Sequence, residues 1–150
     1  MGCGWEGTLI NSELLKINVV LLYKNTMSNG TVVKYQIQTG TATANNASFV
    51  NAITVPLDTI ADSGNTYYMI TYKFSASSTG ILAVPEYRIV VDSTTVLTFR
   101  NTPTNTDFFR VIIAPGSHSV KFDVRLTSGT GGATASVKDL NIFFTKIVAV

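Results

Sequence analysis

The fold is decided by residues 119–127, whose sequence is SVKFDVRLT. Apolar side chains occupy every second position, and Ser, Lys, Asp, Arg and Thr stand between them. Successive side chains of a β-strand point to opposite faces of the sheet, so this stretch predicts a half-buried strand. We expect one face to join the core and the other to be solvated, with charges of alternating sign.

The same period of two recurs along most of the chain. Residues 13–24 are interpreted as one long strand on this basis, although a helix is the competing interpretation there. The other inward rows that the alternation predicts are Val33, Tyr35 and Ile37; Phe49, Ile53, Val55 and Leu57; Tyr68, Ile70, Tyr72 and Phe74; Tyr87, Ile89 and Val91; Leu97 and Phe99; Phe109, Val111 and Ile113; and Leu140, Ile142 and Phe144.

Turn residues separate these rows at regular intervals. Asn29-Gly30 favours a tight hairpin because both residues tolerate positive φ, and residues 92–95, 114–117 and 128–132 carry further turn and loop signals. Val, Ile and Thr make up about a third of the chain, and β-branched residues favour strands. Residues 40–48 are interpreted as a polar loop. The pattern predicts one all-β domain over residues 1–150, a sandwich or barrel of eight or nine strands.

The second half of the sequence carries a resemblance to known folds. It runs from YRIVVD at 87–92, through VIIAPGSHSVKF at 111–122, to VKDLNI at 137–142. This order resembles carbohydrate-binding-module and galactose-binding-like sandwiches, and equally the jelly rolls of viral fibre, turret and decoration proteins. The resemblance implies a single antiparallel β-sandwich of jelly-roll type. Residues 1–8 are a candidate N-terminal arm of this domain. Its motifs are turns and core rows, so it assigns no ligand contacts.

The sequence offers little for catalysis. His118 is the one histidine, it follows a Pro-Gly turn, and no G-x-S-x-G nucleophile elbow occurs. Cys3 and His118 alone cannot supply the three or four ligands of a zinc site, and Asp58 and Asp62 are at most a weak calcium pair. We therefore expect no enzyme activity, no catalytic residues, no metal and no cofactor.

Charge and hydropathy restrict the partners. The net charge is +2 without a basic cluster, so the chain has no electrostatic footprint for nucleic acid. The longest apolar run is five residues, 19–23, too short for membrane insertion. Trp5, Tyr67 and Phe108 fall outside the inward rows, and we name them as candidate glycan contacts. The alternative is that Tyr67 and Phe108 cover a sheet edge or meet a neighbouring subunit.

The last strand is predicted to be apolar on both faces. Phe143 and Ile147 point away from the row of Leu140, so we expect them to lie at an interface of a homo-oligomer, with a trimer as the first expectation. The sequence thus favours a non-enzymatic structural protein that assembles with itself and with other virion proteins, as a capsid-surface, decoration or fibre-head module. The alternative is a carbohydrate-binding module for host attachment. Either function implies a location at the virion surface or outside the cell.

Overall fold

The computed structural model describes residues 31–102 and 106–149, which form nine β-strands and no helix. This part of the chain accordingly contains no helix able to span a bilayer. The strands are β1 Thr31–Ile37, β2 Thr41–Ala44, β3 Val50–Asp58, β4 Thr66–Thr79, β5 Val84–Val91, β6 Thr94–Phe99, β7 Asp107–Ile113, β8 Ser117–Ser128 and β9 Thr134–Ala149.

The strands pair into two antiparallel sheets with the strand order of a jelly roll. The five-stranded sheet has the order β1-β9-β4-β7, with β2 also pairing β9, and the four-stranded sheet has the order β3-β8-β5-β6. β1 and β2 pair successive segments of β9, so together they act as one interrupted strand. Counted so, each sheet has four strands, and the chain crosses to the other sheet at every connection except the β5–β6 hairpin, as in two Greek keys. The predicted all-β jelly-roll sandwich is confirmed.

The core lies between the two sheets and is rich in aromatic rings. Phe122 of β8 is fully buried at its centre, as the alternation predicts. Edge-on and tilted ring contacts of this kind stabilise a core beyond the burial of area alone. The ring centroids around Phe122 lie at 5.1 Å for Phe74, 6.0 Å for Tyr72, 6.0 Å for Phe99 and 6.3 Å for Tyr87.

Two predicted rows are corrected by the register. Tyr35 pairs with Phe143 and Ile37 with Asn141, so the row of Val33 lies on the outer face and not in the core. Phe49 also lies outside, because a register shift between Asn51 and Ile53 reverses the phase of β3. The segment predicted as a loop at 40–48 contains the short strand β2.

The outer face of the five-stranded sheet carries a buried patch of its own. Met69, Thr71 and Thr145 have no exposed area and Phe143 is 5% exposed, although all four point away from the core between the sheets. Phe143 is thus removed from solvent within a single chain, and the reason for expecting it at a subunit interface is lost. An interface role for Phe143 and Ile147 stays a prediction.

Several sequence predictions fall outside the described residues. These are the N-terminal arm at 1–8, the strand at 13–24, the Asn29-Gly30 hairpin, and the side chains of Cys3 and Trp5.

Candidate functional site

An open polar groove of about 580 Å³ lies on the outer face of the four-stranded sheet. Its floor is made by side chains of β3, β8, β5 and β6 that point away from the core, and the β5–β6 turn closes one end. Its volume is within the range of small-ligand sites, but its lining is polar, which suits a hydroxylated or charged ligand. The lining residues are Phe49, Asn51, Thr54, Arg88, Val90, Asp92, Ser93, Thr95, Lys121 and Asp123.

A buried carboxylate anchors the centre of the groove. Asp123 is only 4% exposed, although the alternation places it on a face predicted to be solvated. Asn51 Nδ2 donates to Asp123 Oδ1 at 3.0 Å, and Arg88 Nε donates to Oδ2 at 2.9 Å. A buried charge is tolerated only when it is paired and hydrogen-bonded, and both oxygens of Asp123 are. The carboxylate therefore holds Arg88 in place.

A second buried carboxylate, that of Glu86, lies on the same face two residues from Arg88 along β5. Arg125 donates to Glu86 Oε1 from Nε at 2.8 Å and also from Nη2, while Arg100 Nε donates to Oε2 at 3.1 Å. Burial alone would raise the pKa of Glu86, but the bonds from Arg125 and Arg100 outweigh it, and the pKa lies below its ordinary value. Glu86 is therefore an anion held in place between the guanidinium groups of Arg125 and Arg100.

Phe49 joins the two ion-pair clusters. The guanidinium carbon of Arg88 lies 3.8 Å from the centroid of the Phe49 ring, and that of Arg125 lies 4.5 Å from it. Both distances are within the range of cation–π attraction. The ring contacts both guanidinium groups, so it restricts the positions of the two arginines before any ligand arrives.

His118 bonds Asp92 at the end of the groove, although it does not itself line the groove. Its Nδ1 donates to Asp92 Oδ2 at 2.8 Å, and its Nε2 donates to the carbonyl of Ala114 at 2.7 Å. Ser119 N donates to the other Asp92 oxygen at 3.0 Å. The Asp92 bond raises the pKa of His118 against a smaller effect of burial, and the His118 bond lowers the pKa of Asp92. Two acceptors on one imidazole favour its charged form, which clamps the β5–β6 and β7–β8 turns together.

The candidate glycan contacts predicted from the sequence lie elsewhere. Tyr67 is half-buried and Phe108 is 53% exposed, and both lie on the outer face of the five-stranded sheet. Tyr67 pairs with Ile112 and Phe108 with Thr71, so four residues separate them along the strands, roughly 14 Å. The structure places them on one face without bringing them into contact with the groove.

The second titratable cluster belongs to the five-stranded sheet. Asp62 accepts hydrogen bonds from Lys146 Nζ and the Tyr68 hydroxyl, each at 2.5 Å. The Lys146 bond, followed by that of Tyr68, lowers the pKa of Asp62. Asp58 instead accepts from the backbone N–H of Ile60. The described residues contain no group of three or more His, Cys, Asp or Glu side chains placed to hold a metal.

Sequence reasoning missed the groove, although one signal pointed to it. Asn51 interrupts an otherwise apolar row, and in the structure it marks the bulge that turns Phe49 outward. The charges at Arg88, Asp123 and Arg125 were visible as alternating positions, but only the sheet pairing shows that they meet across β5 and β8.

The comparisons with known proteins show a similarity of fold only. Neither a protein-family model nor a curated protein matches the sequence. The fold is similar to the CBM36-1 domain of a multidomain xylanase from the hindgut metagenome of Trinervitermes trinervoides, at 12% identity and a TM-score of 0.38, covering 76% of this chain and 96% of that one.

It is also similar to the VP2 subviral particle of infectious bursal disease virus, at 12% identity and a TM-score of 0.38, covering 83% of this chain. The structure of the Gt strain of that virus gives 12% identity and a TM-score of 0.36. This chain spans 39% of the length of each viral chain. At these identities and TM-scores the likeness says nothing about ligand or assembly.

Proposed function

We propose that the chain is a non-enzymatic binding module whose working surface is the groove of the four-stranded sheet, and that its ligand is a glycan. The observation that carries this proposal is the preformed set of polar side chains in the groove. Arg88 and Asn51 are fixed by Asp123, and the hydroxyls of Thr54, Ser93 and Thr95 line the walls. Sugars are recognised by several positioned hydrogen-bonding groups, which this arrangement provides.

The carboxylates of the groove and the neighbouring His118 are held by hydrogen bonds within the protein, which supports a non-catalytic role. A general acid or base must have a free position from which to exchange a proton with the substrate. Both oxygens of the groove residues Asp92 and Asp123 accept hydrogen bonds, and both ring nitrogens of His118, beside Asp92, are engaged. Among the described residues that line the groove, every carboxylate oxygen is therefore held by a hydrogen bond within the protein.

The proposal is tested by filling the groove. Thr95 is exposed on β6 and lines the groove, whereas Thr41 is exposed on β2 of the other sheet and lies away from it. Both variants, Thr95→Trp and Thr41→Trp, keep the core intact, so each is expected to unfold at the temperature of the parent. On a glycan array, Thr95→Trp is expected to lose the glycans that the parent binds, and Thr41→Trp is expected to keep them.

The predicted contacts on the other sheet provide the opposing outcome. If Tyr67→Ala or Phe108→Ala abolishes binding while Thr95→Trp does not, the glycan site lies on the five-stranded sheet and the groove proposal is wrong. An array on which the parent binds no glycan also counts against it.

The second candidate is a structural protein that self-assembles at a virion surface, and the Ile81-Leu82 tip favours it. Ile81 is 73% exposed and Leu82 is 74% exposed between β4 and β5. The tip is fixed in place, because the backbone N–H of Thr130 donates to the Ile81 carbonyl at 3.1 Å. The segments 39–57, 75–85 and 126–137 contain no charged residue. Apolar exposure with depleted charge is typical of an interface core.

Sedimentation distinguishes this second candidate. The parent is expected to form oligomers at micromolar concentration, and Ile81→Asn with Leu82→Asn is expected to return it to monomer. Asn suits position 82, where φ is +57°. Ile60→Asn changes an apolar residue that is 63% exposed in the β3–β4 connection at the other end; it is the control and should not alter the oligomers. A parent that sediments as a monomer contradicts self-assembly.

A further inference from the structure

The groove has an excess of donors over acceptors. Among its charged acceptors, Asp123 bonds Asn51 and Arg88, and Asp92 bonds His118 and the backbone of Ser119. The Asn51 amide oxygen accepts from the Thr54 hydroxyl at 3.1 Å. The carboxylate and amide oxygens that line the groove are therefore all occupied by groups of the protein itself.

The cationic side chains of the groove, by contrast, have N–H groups that bond no acceptor among the described residues. Lys121 is exposed, and its ammonium bonds no acceptor in the described part of the chain. Arg88 uses Nε for Asp123, and within the same described residues its two terminal nitrogens donate to no acceptor. Arg88 pairs with Asp123 and Lys121 with Val90, so the two cations are diagonal neighbours on adjacent strands. Diagonal neighbours in a sheet lie about 7–8 Å apart, a separation that one carboxylate can span.

We propose that the groove selects a sugar that carries a carboxylate, with Arg88 and Lys121 binding the carboxylate and the threonine and serine hydroxyls binding the ring hydroxyls. This inference rests on the proposed glycan-binding function and names its ligand class. A planar guanidinium held by its Nε presents its remaining N–H groups in a fixed plane, which suits bidentate pairing with a carboxylate. The neutral hydroxyls of Thr54, Ser93 and Thr95 favour a sugar over an acidic peptide side chain of the same charge.

The test uses a matched pair of ligands. Trigalacturonic acid carries the carboxylates, and its methyl ester has the same ring and hydroxyls without the charge. Calorimetric titration of the parent is expected to give at least tenfold tighter binding of the acid. Backbone amide shifts in NMR spectra are expected to change around Arg88 and Lys121. Binding of the acid is also expected to weaken as salt is added, because ion pairs at a surface are screened.

A matched pair of variants separates the groove from general charge. Lys121→Gln removes one free cation without breaking a contact, and it is expected to weaken binding of the acid about tenfold at an unchanged melting temperature. Lys138→Gln makes the same change on β9 of the other sheet and is expected to leave binding unchanged.

The outcomes keep this inference apart from the proposed function. Equal binding of acid and ester, lost in Thr95→Trp, would overturn the selection of a carboxylate and leave a neutral glycan site. Binding of the acid that Lys121→Gln and Lys138→Gln weaken equally would overturn the site. A glutamate tripeptide that binds as tightly as the acid would overturn the sugar as the ligand. A parent that binds no sugar at all would contradict both proposals.

Discussion

At the scale of single residues, Phe122 has the largest expected effect on stability. It has no exposed area and touches four other aromatic rings, two on its own sheet and two on the facing sheet. Truncating a fully buried Phe costs roughly 3–5 kcal/mol, because contacts are lost and a cavity remains. We expect Phe122→Ala to lower the free energy of unfolding by that amount in a denaturant titration. A change below about 0.5 kcal/mol, the usual range for surface substitutions, would show that the register of β8 is wrong.

The His118–Asp92 pair predicts a pH dependence of stability. The pKa of His118 is raised, so its contribution is complete below its ordinary value of 6.5 and is lost as the pH rises through the raised pKa. The pKa of Asp92 is lowered, so its contribution is complete above 3.8 and is lost as the pH falls through the lowered pKa. The stability lost in His118→Gln should therefore be greatest between pH 3.8 and 6.5 and should shrink at alkaline pH.

The variant Asp92→Asn tests whether Asp92 is the group that makes the contribution of His118 depend on pH. Asp92 has a φ of +55°, a conformation that Asn tolerates, so Asp92→Asn keeps the turn and removes the charge. In the Asp92→Asn background, His118→Gln is expected to cost much less between pH 3.8 and 6.5 than it does in the parent. A stability difference that is the same at every pH would contradict a charged pair. Both groups are near solvent, so high salt should weaken the effect.

At the scale of elements, the loops β4–β5 and β8–β9 are packed together at one glycine. Gly80 has a φ of +95°, and a Cβ built on it would lie 2.7 Å from the Cα and the Cβ of Ala133. Gly40 has a similar φ of +83°, but its Cβ would meet nothing within 4 Å. We expect Gly40→Ala to cost about 1–2 kcal/mol from the backbone alone and Gly80→Ala to cost about 1–3 kcal/mol more. Thermal unfolding of the two variants measures the difference, and equal costs would contradict the close packing.

The limits of the sequence prediction also lie at this scale. Alternation shows which residues share a face but not which face is the core. In β1 the polar positions point inward at the sheet edge, where Gln36 donates to the carbonyl of Thr54 on the facing sheet. A bulge can also reverse the phase of a strand. Asn51 marks such a bulge in β3, but in β9 the bulge at Asp139, whose φ is +54°, has no mark in the sequence. Rows without a break, such as those of β4, β5 and β8, were predicted correctly.

At the scale of the whole molecule, the fold was more predictable than the site. The sandwich could be predicted from strand periodicity and turn residues, because both are patterns of neighbouring residues in the sequence. The groove joins β3, β8 and β5, and its contacts link residues such as Asn51 and Asp123 that lie 72 positions apart. No local pattern shows such a pairing. Phe49 is the clearest case, since one bulge moves it from the predicted core to the centre of the candidate site.

Whether Phe143 belongs to the interior of the subunit or to a subunit interface is also a question about the whole molecule. If this side chain belongs to the interior of the subunit, as its 5% exposure indicates, Phe143→Asp places a charge where there is little water and should cost roughly 3–5 kcal/mol or more. The melting temperature should then fall by the same amount at every protein concentration. An interface residue behaves differently, because its contribution to stability grows with concentration. Ile112→Asp, on the same sheet face but 48% exposed, is the control and should change the melting temperature little. A melting temperature of Phe143→Asp that equals that of the parent in dilute solution, and departs from it only in concentrated solution, would return Phe143 to a subunit interface.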